Sequence, residues 1–259
     1  MTVAVRKAGE WAPALAVFVL GIALWQGAIV AFHVQQFLLP RPSAIVRSLW
    51  DDRHTLWPAG WYTFKEALGG FFIGSALGIV VATIVGRYKT VGTAIMPIAI
   101  AANAIPIIAF APIFDAWFNP VTPGSKIAIA AVLCFLPVMV NTLRGLQSAS
   151  PRQIELMRSY AASELAIWRR VRVPTALPFV FTALKVASVL AMIGAIVGEY
   201  FGGAFNALGV RIQSDAEIFH FTTAWAGIVV ASILGLALYG AVVLAERLLV
   251  RWAPEARGS

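Results

Sequence analysis

Long apolar blocks alternate with short polar segments along this chain. A helix rises 1.5 Å per residue, so about 20 apolar residues are needed to cross the hydrocarbon layer of a bilayer. Six stretches have the required length or come close to it: residues 11–32, 64–86, 91–113, 127–143, 176–197 and 223–245. The third is interrupted by Pro97, Asn103, Pro106 and Pro112, and the fourth is the shortest. Arg6 and Lys7 precede the first block as they would a signal peptide. That block is too long for a signal core and no Ala-x-Ala cleavage site follows it, which predicts a retained anchor. The pattern predicts an all-α, polytopic membrane protein with six transmembrane helices. The longest polar stretches are 33–63 and 144–175. With no internal repeat and no room for a soluble domain, residues 1–259 are expected to form one membrane domain.

Composition agrees with the pattern. The chain has 259 residues, 60% hydrophobic and 12% charged, with a mean hydropathy of +0.81. A soluble domain carries about a quarter charged residues, and this chain lacks the polar groups to cover such a surface. The lone Cys134 excludes a disulfide scaffold. A net charge of +8 suggests either nucleic acid or the Lys/Arg bias of cytoplasmic loops. Six spans return both ends to one side. With the N-terminus inside, thirteen of the 20 Lys and Arg fall in inner segments and six in outer ones, Lys126 among the latter, while Lys185 lies within a span. Both termini are therefore expected in the cytoplasm, and the nucleic-acid reading falls away. Trp50, Trp57, Trp61, Tyr62 and Trp117 then sit outside at headgroup level, as anchors or as part of a surface that receives a binding protein.

The motifs of self-contained chemistry are absent. There is no G-x-x-x-x-G-K-[ST] phosphate loop, no G-x-S-x-G elbow and no His/Cys/Asp/Glu cluster with metal-ligand spacing. The expectation is a non-catalytic transport subunit without metal or cofactor, driven by a partner or by an ion gradient.

The inner loop between the fourth and fifth spans is distinctive. Residues 151–174 read PRQIELMRSYAASELAIWRRVRVP. Ile154, Met157, Ala161, Leu165 and Trp168 recur at helical steps, predicting a helix over 154–167. Ser150 before Pro151 is a suitable N-cap. The small residues around Tyr160-Ala161-Ala162-Ser163 suit close approach by another protein, and an amphipathic helix lying on the membrane is the plainer alternative.

This loop resembles the cytoplasmic signature loop of the inner-membrane permease subunits of binding-protein-dependent ABC importers. That pattern is Glu-Ala-Ala, three residues, Gly, nine residues, Ile, one residue, Leu-Pro. Counted from Glu155, the glycine slot is Ala161, the isoleucine slot Val171 and the final pair Val173-Pro174. The spacing holds while letters depart: Leu156 and Met157 replace the alanines, and Ala161 replaces glycine. A left-handed turn disfavours alanine, so this turn is expected to be plain helix. Leu39-Pro40-Arg41-Pro42-Ser43, the stretch 105–112, Trp117-Phe118, Ser125-Lys126 and Ala176-Leu177-Pro178 extend the resemblance over roughly residues 37–247. They are similar to the branch serving nitrate, sulfonates, taurine, thiamine precursors and riboflavin. The loop followed by Gly198-Glu199-Tyr200-Phe201-Gly202-Gly203 resembles members serving riboflavin or pyrimidine vitamin precursors. The resemblance implies a type I importer permease fold, two ATPase subunits, an extracytoplasmic solute-binding protein and a homodimer of permeases in the inner membrane. It also implies that Glu155, Ser159, Tyr160, Ala161, Ala162, Ser163 and Pro174 form the element that couples to the ATPase.

Within the spans, Gly70, Gly74, Gly78, Ala82 and Gly86 recur every four residues, a packing stripe for an internal helix or for a second copy. Proline removes a backbone hydrogen bond, and broken helices at membrane depth line a cavity or lie against protein. Asn103 and Pro106 are therefore pathway candidates, with helix tying the alternative. Lys185 and Glu199 are candidates for gating. Fourteen residues separate them, roughly 21 Å along a helix, so they share a face without touching. Lys185 can also snorkel to the inner surface, and Glu199 can equally be a water-facing boundary carboxylate. An ion-coupled carrier or channel, with these two as titrating charges, is the alternative from another class. It predicts transport without ATP.

Overall fold

The computed structural model describes residues 2–88, 94–95, 97, 101 and 106–252, and all regular structure among them is helical. Five helices there are long and apolar enough to cross a membrane. They are α1 (Thr2–Ala31), α3 (Arg53–Gly86), α5 (Pro123–Gln147), α8 (Val173–Phe201) with the turns that lead into it, and α10 (Phe221–Leu249). Shorter helices connect them: α2 (Pro42–Asp51), α4 (Ala111–Phe118), α6 (Pro151–Ser159), α7 (Glu164–Ile167) and α9 (Leu208–Glu217). Of the expected third span, 91–113, residues 91–93, 96, 98–100 and 102–105 lie outside the described residues. Its visible end is a 3₁₀ turn, Ile107–Phe110, leading into α4.

The fourth stretch is longer than its apolar letters suggest. Helix α5 begins at Pro123, whose fixed φ suits a first turn, and so takes in Lys126. That corrects the placement of Lys126 in an outer loop: it is 1% exposed inside the helix. A buried ion pair makes this possible, and a hydropathy window does not see such pairs.

The chain divides into two compact units. In the first (Met1–Pro58 with Arg211–Val230), Trp25 packs on Trp225 with ring centroids 5.3 Å apart. The Gln26 side-chain oxygen accepts the Ser43 N–H at 3.2 Å, tying α1 to the start of α2. Helix α2 buries Ile45 and exposes Val46 and Trp50.

In the second unit (Ala59–Val210 with Ala231–Ser259), α5 lies between α3 and α8. The glycine stripe of α3 faces α5: a Cβ on Gly70 would meet Ala130, and one on Gly74 would meet the Ala131 carbonyl. A Cβ on Gly78 would stand 2.8 Å from the Phe135 carbonyl oxygen. Ala82 continues the stripe into a buried cluster with Met139, Val140 and Leu143. Small residues at four-residue steps therefore serve an internal contact in which backbones approach closely. Helix α8 makes the matching approach from the other side, where a Cβ on Gly194 would lie 2.9 Å from Ala130 Cα. The buried Cys134 thiol points to the Ala187 carbonyl, 3.3 Å away.

Candidate functional site

The loop between α5 and α8 folds as a helix–turn–helix and not as the continuous helix expected over 154–167. Ser150 occupies the N-cap position with Pro151 next, although its side chain makes no capping bond. Helix α6 then ends at Ser159. The Ala161 N–H donates to Arg158 O at 2.9 Å and the Ala162 N–H to Met157 O at 3.0 Å. This pair of bonds is the Schellman ending, which requires a left-handed residue at the position Ala161 holds. Ala161 has φ 52°. The expectation of plain helix there is overturned: the backbone bends as a glycine would, although the residue is alanine. Two hydrogen bonds offset the cost of about 1–2 kcal/mol for an L-residue in this region. Ser163 then caps α7, its Oγ accepting the Ala166 N–H at 3.3 Å. Arg158 and Glu164 close the turn with an ion pair at 3.0 Å.

The turn presents side chains outward. Tyr160 is 77% exposed, and Leu156 and Leu165 are more than half exposed. Glu155, Ser159 and Ser163 are exposed and Ala162 is half-buried. The Ser159 hydroxyl donates back to Leu156 O at 2.8 Å. Ile167, fully buried, anchors the far end. Between Ile167 and α8 the chain runs through a π-helix, Trp168–Arg172, in which the Val173 N–H donates to Trp168 O. The Arg172 guanidinium lies 5.7 Å from the Trp168 ring centroid. Such wide turns are rare and cluster at functional places, and nothing in the letters WRRVR announced one. Pro174 lies in the first turn of α8, where proline fits. A groove of about 380 Å³ separates Thr83 of α3, with Arg87 and Tyr88 just beyond it, from Glu164, Leu165 and Trp168, so the loop sits beside one end of a span.

Lys185 and Glu199 are not brought together, and each has its own partners. Lys185 Nζ donates to both Glu246 carboxylate oxygens, at 3.2 and 3.0 Å, joining α8 to α10. Lys185 borders an open groove of about 410 Å³ with Thr182, Val189 and Tyr239. Glu199 is 1% exposed, which overturns the alternative of a boundary carboxylate in water. Its Oε1 accepts the Thr63 hydroxyl at 2.6 Å and its Oε2 the Gly209 N–H at 2.6 Å. Asn103 lies outside the described residues. Pro106 is exposed, and its carbonyl accepts the Ala109 N–H at 2.8 Å at the start of the 3₁₀ turn.

Sequence reasoning missed Thr63, Glu66, Asp115, Lys126 and Glu246. Four of these are charged residues inside or at the edge of an apolar block, and that placement was itself a usable signal. The partners of Glu246 and Thr63 lie far away in sequence, on other helices, so no local pattern pairs them.

Span-length helices locked through glycines, with buried ion pairs between them, define a multi-pass membrane protein. The chain belongs to the family of binding-protein-dependent transport system inner membrane components, whose model matches residues 74–251. It is thus a permease subunit of an ABC importer, a multi-pass inner-membrane protein with a transport role. It is 30% identical to the riboflavin transport system permease protein RibX of Chloroflexus aurantiacus, over 94% of this chain and 91% of that one. It is 34% identical to the formylaminopyrimidine transport permease protein ThiX of Halalkalibacterium halodurans, over 84% and 87%. The putative aliphatic sulfonates permease SsuC of Bacillus subtilis is 26% identical over 98% and 92%. Among solved structures, an amino acid ABC transporter crystallised with histidines superposes with a TM-score of 0.60. At 18% identity, over 78% of this chain and 97% of that one, it supports the type I permease fold alone.

Proposed function

We propose that this permease takes up riboflavin or a pyrimidine (thiamine) precursor, ahead of a sulfonate or nitrate. The relatives named for riboflavin and formylaminopyrimidine are 30% and 34% identical, against 26% for the sulfonate relative. The six apolar stretches contain no arginine, the side chain best suited to hold an anion. A separate ATPase supplies the energy, an extracytoplasmic protein delivers the solute, two copies of this chain form the path, and both termini are cytoplasmic.

In this reading Glu155, Ser159, Tyr160, Ala161, Ala162, Ser163 and Pro174 belong to the coupling element. ATP binding closes the ATPases, the loop moves with them, and α8 carries that motion into the membrane through the π-helix. Pathway and gating roles are assigned to Asn103, Pro106, Lys185 and Glu199. No residue of this chain performs covalent chemistry. The observation that carries the reading is the capped turn that exposes Leu156, Tyr160 and Leu165 on an inner loop. Large apolar side chains held out by a fixed backbone suit a groove on a partner.

The test is to tag the chain, extract it in mild detergent, and identify by mass spectrometry what accompanies it. A stoichiometric subunit with a phosphate-loop ATPase is expected. Glu155→Arg should abolish solute-stimulated hydrolysis while the spans stay folded, and labelled riboflavin should enter vesicles ahead of taurine. A chain that purifies alone and moves solute in ATP-free vesicles overturns the reading.

A further inference from the structure

The second unit contains a buried charge set that the coupling mechanism does not use. Lys126 of α5 is buried and ion-pairs with Asp115 of α4 at 3.1 Å. Its ammonium also donates to Ser125 Oγ at 2.9 Å and to the Pro120 carbonyl, so its donors are fully engaged. Glu199 of α8 faces the first turn of α9. The Gly209 N–H donates to its carboxylate, and Thr63 couples the same carboxylate to the Leu208 N–H, which donates to Thr63 Oγ1 at 2.9 Å. A helix N-terminus carries about half a positive charge, so Glu199 is compensated where it sits.

The one favourable charge acting on Glu66 of α3 is Lys126, which acts on Glu199 as well. Glu66 is 3% exposed, stands one helical turn along α3 from Thr63, whose hydroxyl bonds Glu199, and its Oε2 has no partner. Two neighbouring carboxyls away from water need a positive charge between them. Lys126 acts on both but is itself ion-paired with Asp115, so one lysine faces three carboxyls. Tyr62 of α3 and Tyr200 of α8 are the other titratable groups around the pair, and neither supplies a positive charge. The members of the pair stand on different helices, distant in sequence, so the site exists only in the packed fold.

We propose that Glu66 and Glu199 form a monocation site, in which one positive charge, a proton or a sodium ion, binds between the two carboxyls. The bound charge holds α3 against the N-terminus of α9, and its loss sets the two carboxylates against each other and frees the turn between α8 and α9.

The test uses the full chain with its partner subunits in lipid nanodiscs. Thermal unfolding is followed while pH rises in choline chloride, and again at fixed alkaline pH as sodium replaces choline. The midpoint is expected to fall as pH rises. Recovery with sodium identifies sodium as the ion, and no recovery identifies the proton. Glu66→Gln, whose neutral amide donates to Glu199, should flatten both dependences. Should that variant fail to fold, the wild type decides. A proton at the site gives an infrared carboxylic-acid band that resists deuterium exchange and shifts with ¹³C-carboxyl glutamate. A sodium ion gives stoichiometric binding of ²²Na. A wild type with neither the band nor bound sodium, or a Glu66→Gln variant with unchanged dependences, overturns the proposal.

Discussion

Ala161 is an alanine in a glycine's conformation, and substitution there gives a graded test of the loop. At φ 52° an L-residue costs about 1–2 kcal/mol relative to its right-handed form. Glycine removes that cost but adds about 0.4–1 kcal/mol of freedom to the opened state. Ala161→Gly should therefore stabilise the closed turn by about 0.5–1 kcal/mol, or roughly 2- to 5-fold in the closing equilibrium. Ala161→Val places a β-branched side chain where its Cβ crowds the backbone, and should open the turn by about 1 kcal/mol or more. The Arg158–Glu164 pair cannot mask the difference, because both side chains are at least half exposed and such pairs contribute little. Hydrogen exchange of a peptide covering 157–166, measured on the intact chain in lipid, reads the opening directly. The Gly variant should exchange more slowly than wild type, and the Val variant at least about tenfold faster than the Gly variant. A Val variant as well protected as Gly would refute the assignment of a left-handed turn.

Lys185→Met should destabilise the chain by about 3 kcal/mol in mixed-micelle unfolding, because the largely buried Glu246 is left without its counter-ion. The double variant Lys185→Met/Glu246→Leu should recover to within about 1 kcal/mol of wild type, and a double variant as unstable as the single would show that the pair is not what joins α8 to α10. In the first unit, Asp215 lies outside the spans, and burial raises its carboxyl above the ordinary 3.8. Arg211 and His220 oppose that rise, while Asp52 adds to it. The folded state then binds this proton more tightly than the unfolded state. The resulting stability is complete below 3.8 and is lost as pH rises through the folded value. Asp215→Asn should gain on wild type as pH rises from acid to neutral in thermal unfolding. A gap that narrows instead would contradict the sign.

Much of the membrane architecture follows from the letters alone. Apolar blocks of span length leave a helix as the simplest way to satisfy every backbone group in lipid, so five of the described helices fall where hydropathy puts them. The stripe from Gly70 to Gly86 is legible too, because four-residue spacing of small side chains has one geometric meaning on a helix. That stripe did not disclose its partner, α5, since a small residue fits any close neighbour. The loop failed differently: periodicity ran through Ala161 without a break, and side-chain letters do not reveal a positive φ on alanine. Its cause is a backbone hydrogen-bond pattern that closes only when α6 ends and Ser163 starts α7.

Helical membrane spans, the lack of ATPase motifs and a signature loop at fixed spacing can all be read from the order of residues. Those properties are local, set by hydrophobicity and spacing within a single span or loop. Which charges meet is another matter, and it depends on how the helices pack: Lys185 with Glu246, Lys126 with Asp115, and Glu199 with Thr63, Glu66 and the start of α9. A buried charge is stable only beside its compensating group. Except for Lys126 and Asp115, that group lies on a helix distant in sequence, so the pairs come into being only when the helices assemble.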